Sequence, residues 1–250
     1  INPYDPCVAN KMIEGKQMTI CFHVDDCKLS HREVKVMDKM IDWLRQEYES
    51  IFEDGSGKMT VSRGKVHKYL GMTLDYTIRG QVQITMFDYI EEILTAFDKA
   101  DPKAGGTKSS AAPENLFCID EDCEKLQTDK AVEFHNLVAK TLYTCTAVAF
   151  LTTRVRAPNY EDWKKLVHMM KYIRGTKSLP LILSADGSSI LKWWVDASFA
   201  VHPNMRGHSG GGLSLGRGFP IVSSTKQKLN TRSSTEAEIV GVDDFMPAIC

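Results

Sequence analysis

The apolar positions change period along the chain, and these changes divide it into segments. Cys7 to Ile13 and Met18 to Val24 are β-rich runs separated by Glu14-Gly15-Lys16-Gln17. The second run alternates cleanly, with Met18, Ile20, Phe22 and Val24 on one face and Thr19, Cys21, His23 and Asp25 on the other, which predicts a hairpin. Asp26 then turns the chain into a short third strand, Cys27 to Ser30, leaving two acids at a strand tip. From Arg32 to Phe52, Val34, Met37, Ile41, Leu44, Tyr48 and Ile51 follow at spacings of three and four. They draw one stripe along a helix of about five turns, ended by Glu53-Asp54-Gly55-Ser56-Gly57. A second hairpin is predicted from Val66 to Thr85 with Arg79-Gly80 at its turn, and a further helix from Tyr89 to Phe97.

Between Asp101 and Asn115 there is almost nothing to bury, so the pattern predicts a linker or exposed loop and a domain boundary. The acidic run after it (Asp120, Glu121, Asp122, Glu124) reads as solvated surface. Ala131 to Leu151 and Tyr160 to Ile173 read as helices, the second opened by Pro158-Asn159 and closed by Gly175. The last section returns to strands: Leu191 to Val201, Gly211 to Leu215 and Phe219 to Ser224. A helix then starts at Ser233-Ser234-Thr235-Glu236, which has capping-box spacing, and continues through Ile239, Val240, Val242 and Phe245. No fixed-period repeat is present.

Composition narrows the class. The chain has 250 residues, 43% hydrophobic and 25% charged, which excludes collagen-like, low-complexity and wholly disordered chains and suffices for one large or two modest domains. Lys plus Arg number 31 against 32 Asp plus Glu, so a net charge of -1 gives no overall drive toward phosphate backbones or anionic membranes, and any nucleic-acid affinity must be local. The longest apolar stretch, around Ala147 to Leu151, is far below the ~18 residues of a membrane span, and the N-terminus lacks a signal-peptide layout. The expectation is a soluble, intracellular chain without membrane contact. The 7 cysteines (7, 21, 27, 118, 123, 145, 250) include no CxxC pair and no His at zinc-ligand spacing, and read as small reduced side chains.

Three features could carry chemistry. The adjacent carboxylates Asp25 and Asp26 would repel each other at a tight turn without a cation, and hard oxygen ligands at such a tip suit Mg²⁺. Asp-Asp also simply fills exposed turns, and the dipeptide alone leaves both readings open. Asp196 follows Lys192-Trp193-Trp194-Val195 in what reads as a buried strand, where an isolated carboxylate wants a metal, a cation or several donors. Its partner candidates are Glu236, which serves equally as a capping acid, and Glu238, which serves equally as a surface residue. From Ala197 through Thr235 the charges are Arg206, Arg217, Lys226, Lys228 and Arg232, with no acid. Such a patch can hold a phosphate backbone or be an exposed basic loop. The glycine-rich run Ser209 to Gly216 lacks Gly-Lys-Ser/Thr and precedes a strand, so it reads as strand and turn glycine rather than a phosphate loop.

Taken in order, five segments resemble the polymerase and ribonuclease H region of copia-type retrotransposon Pol polyproteins. They are His23-Val24-Asp25-Asp26, Lys68-Tyr69-Leu70-Gly71-Met72, Lys171-Tyr172-Ile173-Arg174-Gly175-Thr176, Val195-Asp196-Ala197-Ser198, and Ser223-Ser224-Thr225-Lys226-Gln227 through Ser233-Ser234-Thr235-Glu236-Ala237-Glu238. Each alone is weak; their order and spacing over nearly the whole chain carry the resemblance. It implies an α+β fold: a partial reverse transcriptase palm (1–100), a linker and acidic loop (101–127), a helical thumb and connection (128–185), and an incomplete ribonuclease H-like α/β domain (186–250). It implies that Asp25 and Asp26 are the paired palm aspartates, with Asp25 the main Mg²⁺ ligand, and that Asp196 and Glu238 are two ribonuclease H metal ligands. Glu238 is preferred to Glu236 because the family's catalytic Glu is followed by the helix's apolar run, here Ile239-Val240.

Further implications of the resemblance are a primer grip around Lys68, Tyr69 and Gly71, and phosphate contacts from Arg206, Lys226, Lys228 and Arg232. Mg²⁺ is the implied cofactor, with Mn²⁺ as its alternative. RNA template, DNA primer and RNA/DNA hybrid are the implied partners, together with deoxynucleoside triphosphates in the full enzyme. The resemblance also implies copying in cytoplasmic particles, with later delivery of DNA to the nucleus. The sequence also departs from the family. His23 replaces the family's Tyr, and only 24 residues precede Asp25, where the first palm aspartate, the fingers and the nucleotide-selecting segment are expected. The third ribonuclease H aspartate is expected some twenty residues beyond the helix Glu, and Asp243 and Asp244, on that same helix, do not replace it. The expectation is that each metal site is half built, that missing Pol segments at both ends complete them, and that this chain alone is inactive. The alternative is a non-catalytic remnant of a retroelement that binds nucleic acid or merely persists.

Overall fold

The computed structural model describes residues 2–3, 5–49, 57–102, 104–141 and 145–246. It is an α+β chain in two compact units, Ile1–Leu74 and Asp75–Cys250. In the first unit, β1 (Val8–Ile13), β2 (Lys16–His23) and β3 (Asp26–Ser30) form an antiparallel meander. Two-residue turns close it, with positive φ at Glu14 and Gly15 and at Val24, the backbone that tight hairpins require. The helix expected from Arg32 is α1 (Val34–Tyr48). It buries Val36 and Ile41, while Val34 and Tyr48 are exposed, so its apolar stripe is shorter than the sequence pattern. Ile51, Phe52 and the helix-ending residues 53–56 lie outside the described residues. The strand run beginning at Val66 is broken early, into β4 (Val66–Tyr69) and β5 (Met72–Asp75), by a turn at Leu70 and Gly71 with φ of 50° and 74°.

The second unit begins with β6 (Gln81–Thr85) and α2 (Phe87–Ala100), followed by α3 (Thr128–Lys140), α4 (Cys145–Thr152) and α5 (Tyr160–Thr176). These helices share one apolar core in which Phe97, Phe134, Phe150 and Leu166 are fully buried. The single helix expected from Ala131 to Leu151 is two. α3 stops before Thr141, whose buried hydroxyl turns back to the Leu137 carbonyl at 2.8 Å, and residues 142–144 lie outside the described residues. β7 (Leu181–Ala185) was not anticipated; it pairs antiparallel with β6 on one side and with β10 (Gly216–Arg217) on the other. β8 (Lys192–Ser198), β9 (His208–Ser214) and β11 (Ile221–Lys226) make a separate antiparallel sheet in the order β11-β9-β8, with α6 (Ser234–Phe245) after it. The glycines of β9 are strand glycines, as read. Ring atoms of Phe245 and Phe219 lie 2.8 and 2.7 Å from where side chains at Gly211 and Gly212 would begin.

The segment read as a linker is irregular but strapped down. Donors on α5 and at its N-cap meet the segment's backbone: Arg174 Nη1 reaches the Ala104 carbonyl at 2.7 Å, His168 Nε2 that of Ser110 at 2.8 Å, and Asn159 Nδ2 that of Asp120 at 2.9 Å. Lys165 Nζ donates to the Cys118 carbonyl, and the Lys171 carbonyl accepts from Thr107 N at 2.9 Å. Ala104 and Leu116 are buried beneath this strap. The need to pair every buried backbone group accounts for the arrangement. It also explains Gly175, which lies inside α5 rather than closing it. A Cβ there would sit 1.9 Å from the Thr107 carbonyl oxygen. The start of α5 is as expected: Asn159 and Asp162 cap each other's backbone at 3.0 Å, and Asp162 also takes the Arg154 Nε at 3.0 Å.

Where α4 meets the β8-β9-β11 sheet, two histidines are buried, His202 at 3% and His208 at 5% exposure. Ser224 Oγ donates to Thr146 Oγ1 at 3.3 Å, so it accepts from His208 Nε2 at 2.7 Å, and His208 Nδ1 accepts from His202 Nε2 at 3.0 Å. With the Ser224 hydroxyl donating in this way, two neutral Nε2–H rings satisfy every contact of the network. Phe117, from the strap, packs edge-on against His202 at 5.1 Å. Burial, then the positive Lys226, then His208 bring the His202 ring down to about 4, and burial lowers His208 as well.

Two predictions follow from this packing. Gly175→Ala is expected to destabilise the second unit by about 2–4 kcal/mol, because backbone rather than a flexible side chain must move; urea unfolding measures it. The histidines are protonated more readily when unfolded, so stability is full above about pH 7 and falls as the pH drops from about 6.5 to about 4, on the order of 3 kcal/mol for His202. His202→Phe flattens that part of the stability profile. An unchanged slope in this variant would refute the neutral buried pair.

Candidate nucleic-acid and metal site

Asp25 and Asp26 stand exposed at the tip of the β2-β3 hairpin, Asp25 in the turn and Asp26 opposite His23 as the first residue of β3. Val24 beside them is 92% exposed with φ of 53°, a strained conformation for a β-branched residue. Lys68 and Tyr69 end β4, and Gly71 lies in the next turn. The Tyr69 phenol is pushed up by burial and then by Cys21, Cys27 and Asp26. Within the first unit, Tyr69 therefore lies in the electrostatic neighbourhood of the acidic hairpin.

Asp196 is not in a buried strand, as its sequence context suggested, but exposed on β8. The chain packs α6 through Ala237, Gly241 and Phe245, residues spaced by four and so on one helix face. Ile239 and Val242, apolar residues of the same helix, are 64% and 49% exposed. The small residues bring the helix close: a Cβ on Gly241 would lie 3.3 Å from Val195 Cγ1 and 3.4 Å from Ala197 Cβ. Glu238, one residue after Ala237, reaches the sheet. Its Oε1 accepts at 3.2 Å from the backbone N of Ala197, the residue after Asp196; Val195 and Ala197 face α6, so the Asp196 side chain leaves the other face of the strand. Glu236 does something else: its Oε2 accepts from Arg232 N at 2.7 Å, while the Ser233 hydroxyl accepts from Glu236 N at 3.2 Å. It acts as a capping acid.

The basic residues divide. Lys226 ends β11 in register with His208, which pairs with Ser198 at the end of β8. The start of α6 and the loop before β9 lie at this same end of the sheet, since Gln227 N bonds the Gly207 carbonyl at 2.9 Å and Asn230 Nδ2 that of Asn204 at 3.1 Å. The positive charge of Arg206 lowers Lys226, after burial, so these two are neighbours. Lys226 and Lys228 line a common cleft with Ser223, Thr225 and Asp244. Arg217 lies apart, on β10 in the other sheet. Asp196, Glu238, Arg206, Lys226, Lys228 and Arg232 thus occupy one end of one sheet.

Asp25 with Asp26, and Asp196 or Glu238, offer the one or two hard oxygen ligands with which Mg²⁺ is usually held. Among the described residues no three His, Cys, Asp or Glu side chains converge in a metal-holding group, so neither place is a closed cage. No helix among the described residues is long and apolar enough to cross a membrane.

Similarity to known proteins runs across nearly all of this architecture. The chain is 23% identical over 256 aligned residues to the Transposon Ty1-MR1 and Ty1-LR3 Gag-Pol polyproteins of Saccharomyces cerevisiae, covering 95% of this chain and 14% of theirs. It is 24% identical over 256 residues to the Retrovirus-related Pol polyprotein from transposon TNT 1-94 of Nicotiana tabacum, covering 96% of this chain and 18% of that protein. The chain is similar to retrotransposon Pol. The similarity supports derivation from a retroelement polyprotein, of which this chain spans less than a fifth of the length of these relatives. No family model matches, and no solved structure matches.

The histidine pair, strand β7 and the buried Gln227 escaped the sequence reading. An apolar run at 181–183 after Pro180 was the available signal for β7. The two cap roles are separable by experiment. Ser233→Ala and Glu236→Ala should each cost about 0.5–1 kcal/mol of stability in urea unfolding, while leaving the Glu238 bond to Ala197 intact, as read from amide exchange at Ala197.

Proposed function

We propose that this chain is part of a copia-type retrotransposon's RNA-directed DNA polymerase and ribonuclease H. Residues 1–100 correspond to a partial palm, 101–127 to the connecting loop, 128–185 to the thumb and connection, and 186–250 to the N-terminal part of the ribonuclease H domain. The observation that carries the reading is the Glu238 bond to Ala197, which ties a helix acid to the residue after Asp196, at the sheet end that also bears Arg206 and Lys226. The order of the five motifs and the similarity to transposon Pol polyproteins support it.

Asp25 and Asp26 would hold Mg²⁺ or Mn²⁺ in the palm, and Asp196 and Glu238 in the nuclease. When bound, the metal supplies Lewis-acid activation of a primer hydroxyl or a water and neutralises phosphate charge. The chain's own residues do the rest. Lys68, Tyr69 and Gly71 would border the primer beside the palm hairpin. Arg206, Lys226, Lys228 and Arg232 would take the phosphates of an RNA/DNA hybrid, a contact without sequence preference. Since each site presents two carboxylates and two-metal chemistry uses three or four, the chain by itself is proposed to bind hybrid without turning over. In the whole polyprotein the work is assigned to cytoplasmic particles, with DNA passing later to the nucleus.

The test is binding of a labelled RNA/DNA hybrid across a salt series, beside a protein extended by the flanking reading frame of its element. The chain is expected to bind with a salt-dependent affinity whose slope falls by about one on Lys226→Ala. The extended protein is expected to extend a primer and cut the RNA strand, with Asp25→Asn abolishing the first and Asp196→Asn the second. Salt-independent or absent binding, together with an inert extended protein, would establish the non-catalytic remnant instead.

A further inference from the structure

Gln227 is 1% exposed and sits where β11 gives way to the loop before α6. Both hydrogens of its side-chain amide are committed: Nε2 donates to Ser209 Oγ on β9 at 2.9 Å and to the Ala237 carbonyl, in the first turn of α6, at 2.8 Å. The amide cannot be reversed, because its oxygen would then face the carbonyl oxygen of Ala237. In the observed orientation Oε1 is buried without a partner. It faces Gly207, where a Cβ would lie 2.3 Å from Oε1 and 2.9 Å from the Ser198 carbonyl oxygen. The chain therefore keeps a costly orphan acceptor and a glycine to accommodate it. An apolar side chain of equal volume would dock the helix without that cost, so what the amide adds is direction.

Resting on the ribonuclease H reading above, we propose that Gln227 is a positioning residue for Glu238, setting the rotation and slide of α6 so that the Glu238 carboxylate meets β8 at the amide of Ala197, the residue after Asp196. Ala237 is the residue before Glu238, and its carbonyl is the point at which the amide holds the helix. A second point lies two turns on. Ser209 Oγ, having accepted from Gln227, donates to Asp244 Oδ2 at 3.1 Å. Between these points Gly241 makes the close approach to Val195 and Ala197. A helix held at both ends of a glycine contact has one rotation and one slide, and the 3.2 Å bond from Ala197 N to Glu238 is made at that setting.

The experiment compares the whole chain with Gln227→Met, which keeps the volume and loses the direction, and with Glu238→Gln. Amide exchange at Ala197, followed by NMR, is expected to speed up about tenfold in Gln227→Met, the loss expected for one hydrogen bond. Exchange in the β9 and β11 ladders stays unchanged. In the extended protein, Gln227→Met is expected to lower kcat for RNA-strand cleavage at least tenfold, with KM and primer extension unaffected. Wild-type exchange at Ala197 in Gln227→Met would overturn the proposal, and so would equal loosening of the whole sheet. Should that variant fail to fold, Ser209→Ala, which removes one partner of the amide, must show the same selective change at Ala197 or the proposal falls. The exchange arm does not depend on catalysis, so an inert extended protein with the expected exchange pattern would refute the ribonuclease H reading and leave the positioning role standing.

Discussion

An irregular backbone laid across an apolar core must find a donor for every carbonyl it buries, and in the second unit helix α5 supplies them. One face of α5 gives Leu166, Met169 and Met170 to the core. Asn159 at its N-cap, and Lys165, His168 and Arg174 along it, reach the strap from Ala104 to Asp120. The strap in turn delivers Phe117 against both His202 and His208, and α4 brings Phe150 and Thr146 to the same place. Helical core, strap and three-stranded sheet are thus joined through α5, and the neutrality of the histidines is a consequence of how completely that joint excludes water. Lys165 shows the same constraint. Burial lowers it, and it is kept by a carbonyl partner and by the face of Phe150, 4.9 Å away.

The two carboxylate pairs are held by different physics. Asp25 and Asp26 depend on a two-residue turn, whose geometry is decided within a few residues and costs a left-handed valine. Glu238 lies 42 residues beyond Asp196 in sequence and reaches the neighbouring Ala197 amide only because a helix with a small-residue face docks on a sheet whose neighbouring strand is glycine-rich. The first pair is robust to distant change and poorly shielded. The second is set by tertiary packing, so residues that never approach a phosphate, such as Gly241 and Ser209, shape it.

Legibility in the sequence follows the same division. Features decided locally were readable: the β1-β2-β3 meander, the Asn159 cap of α5, the Ser233 cap of α6, and the glycines of β9. Features decided by tertiary contact were not. The apolar Ile239 and Val242 of α6 lie outside, whereas the helix buries its alanine and glycine. Trp194 made β8 look buried, yet it is 48% exposed along with Asp196. The low apolar content of 101–115 suggested a loose linker, because side-chain patterning says nothing about backbone hydrogen bonds donated by a helix sixty residues away. Gly175 read as a helix stop for the same reason: the carbonyl that forbids a side chain there belongs to Thr107. The choice of Glu238 over Glu236 came from the resemblance, and the geometry now gives each acid a distinct contact.

A near-neutral chain can still present a basic surface to a polyanion, because screening makes charge a local property. At physiological ionic strength the Debye length is about 8 Å, so a phosphate at the end of the β8-β9-β11 sheet responds to Arg206, Lys226, Lys228 and Arg232 and hardly at all to the acidic run at 120–124. Asp196 and Glu238, at that same end, would oppose it. Two carboxylates beside a bound phosphodiester are tenable when a divalent cation stands between them. Under the proposed function, then, metal and hybrid are coupled ligands, each lowering the electrostatic cost of the other. The basic residues around the pair give the affinity, and the acids make that affinity depend on the metal.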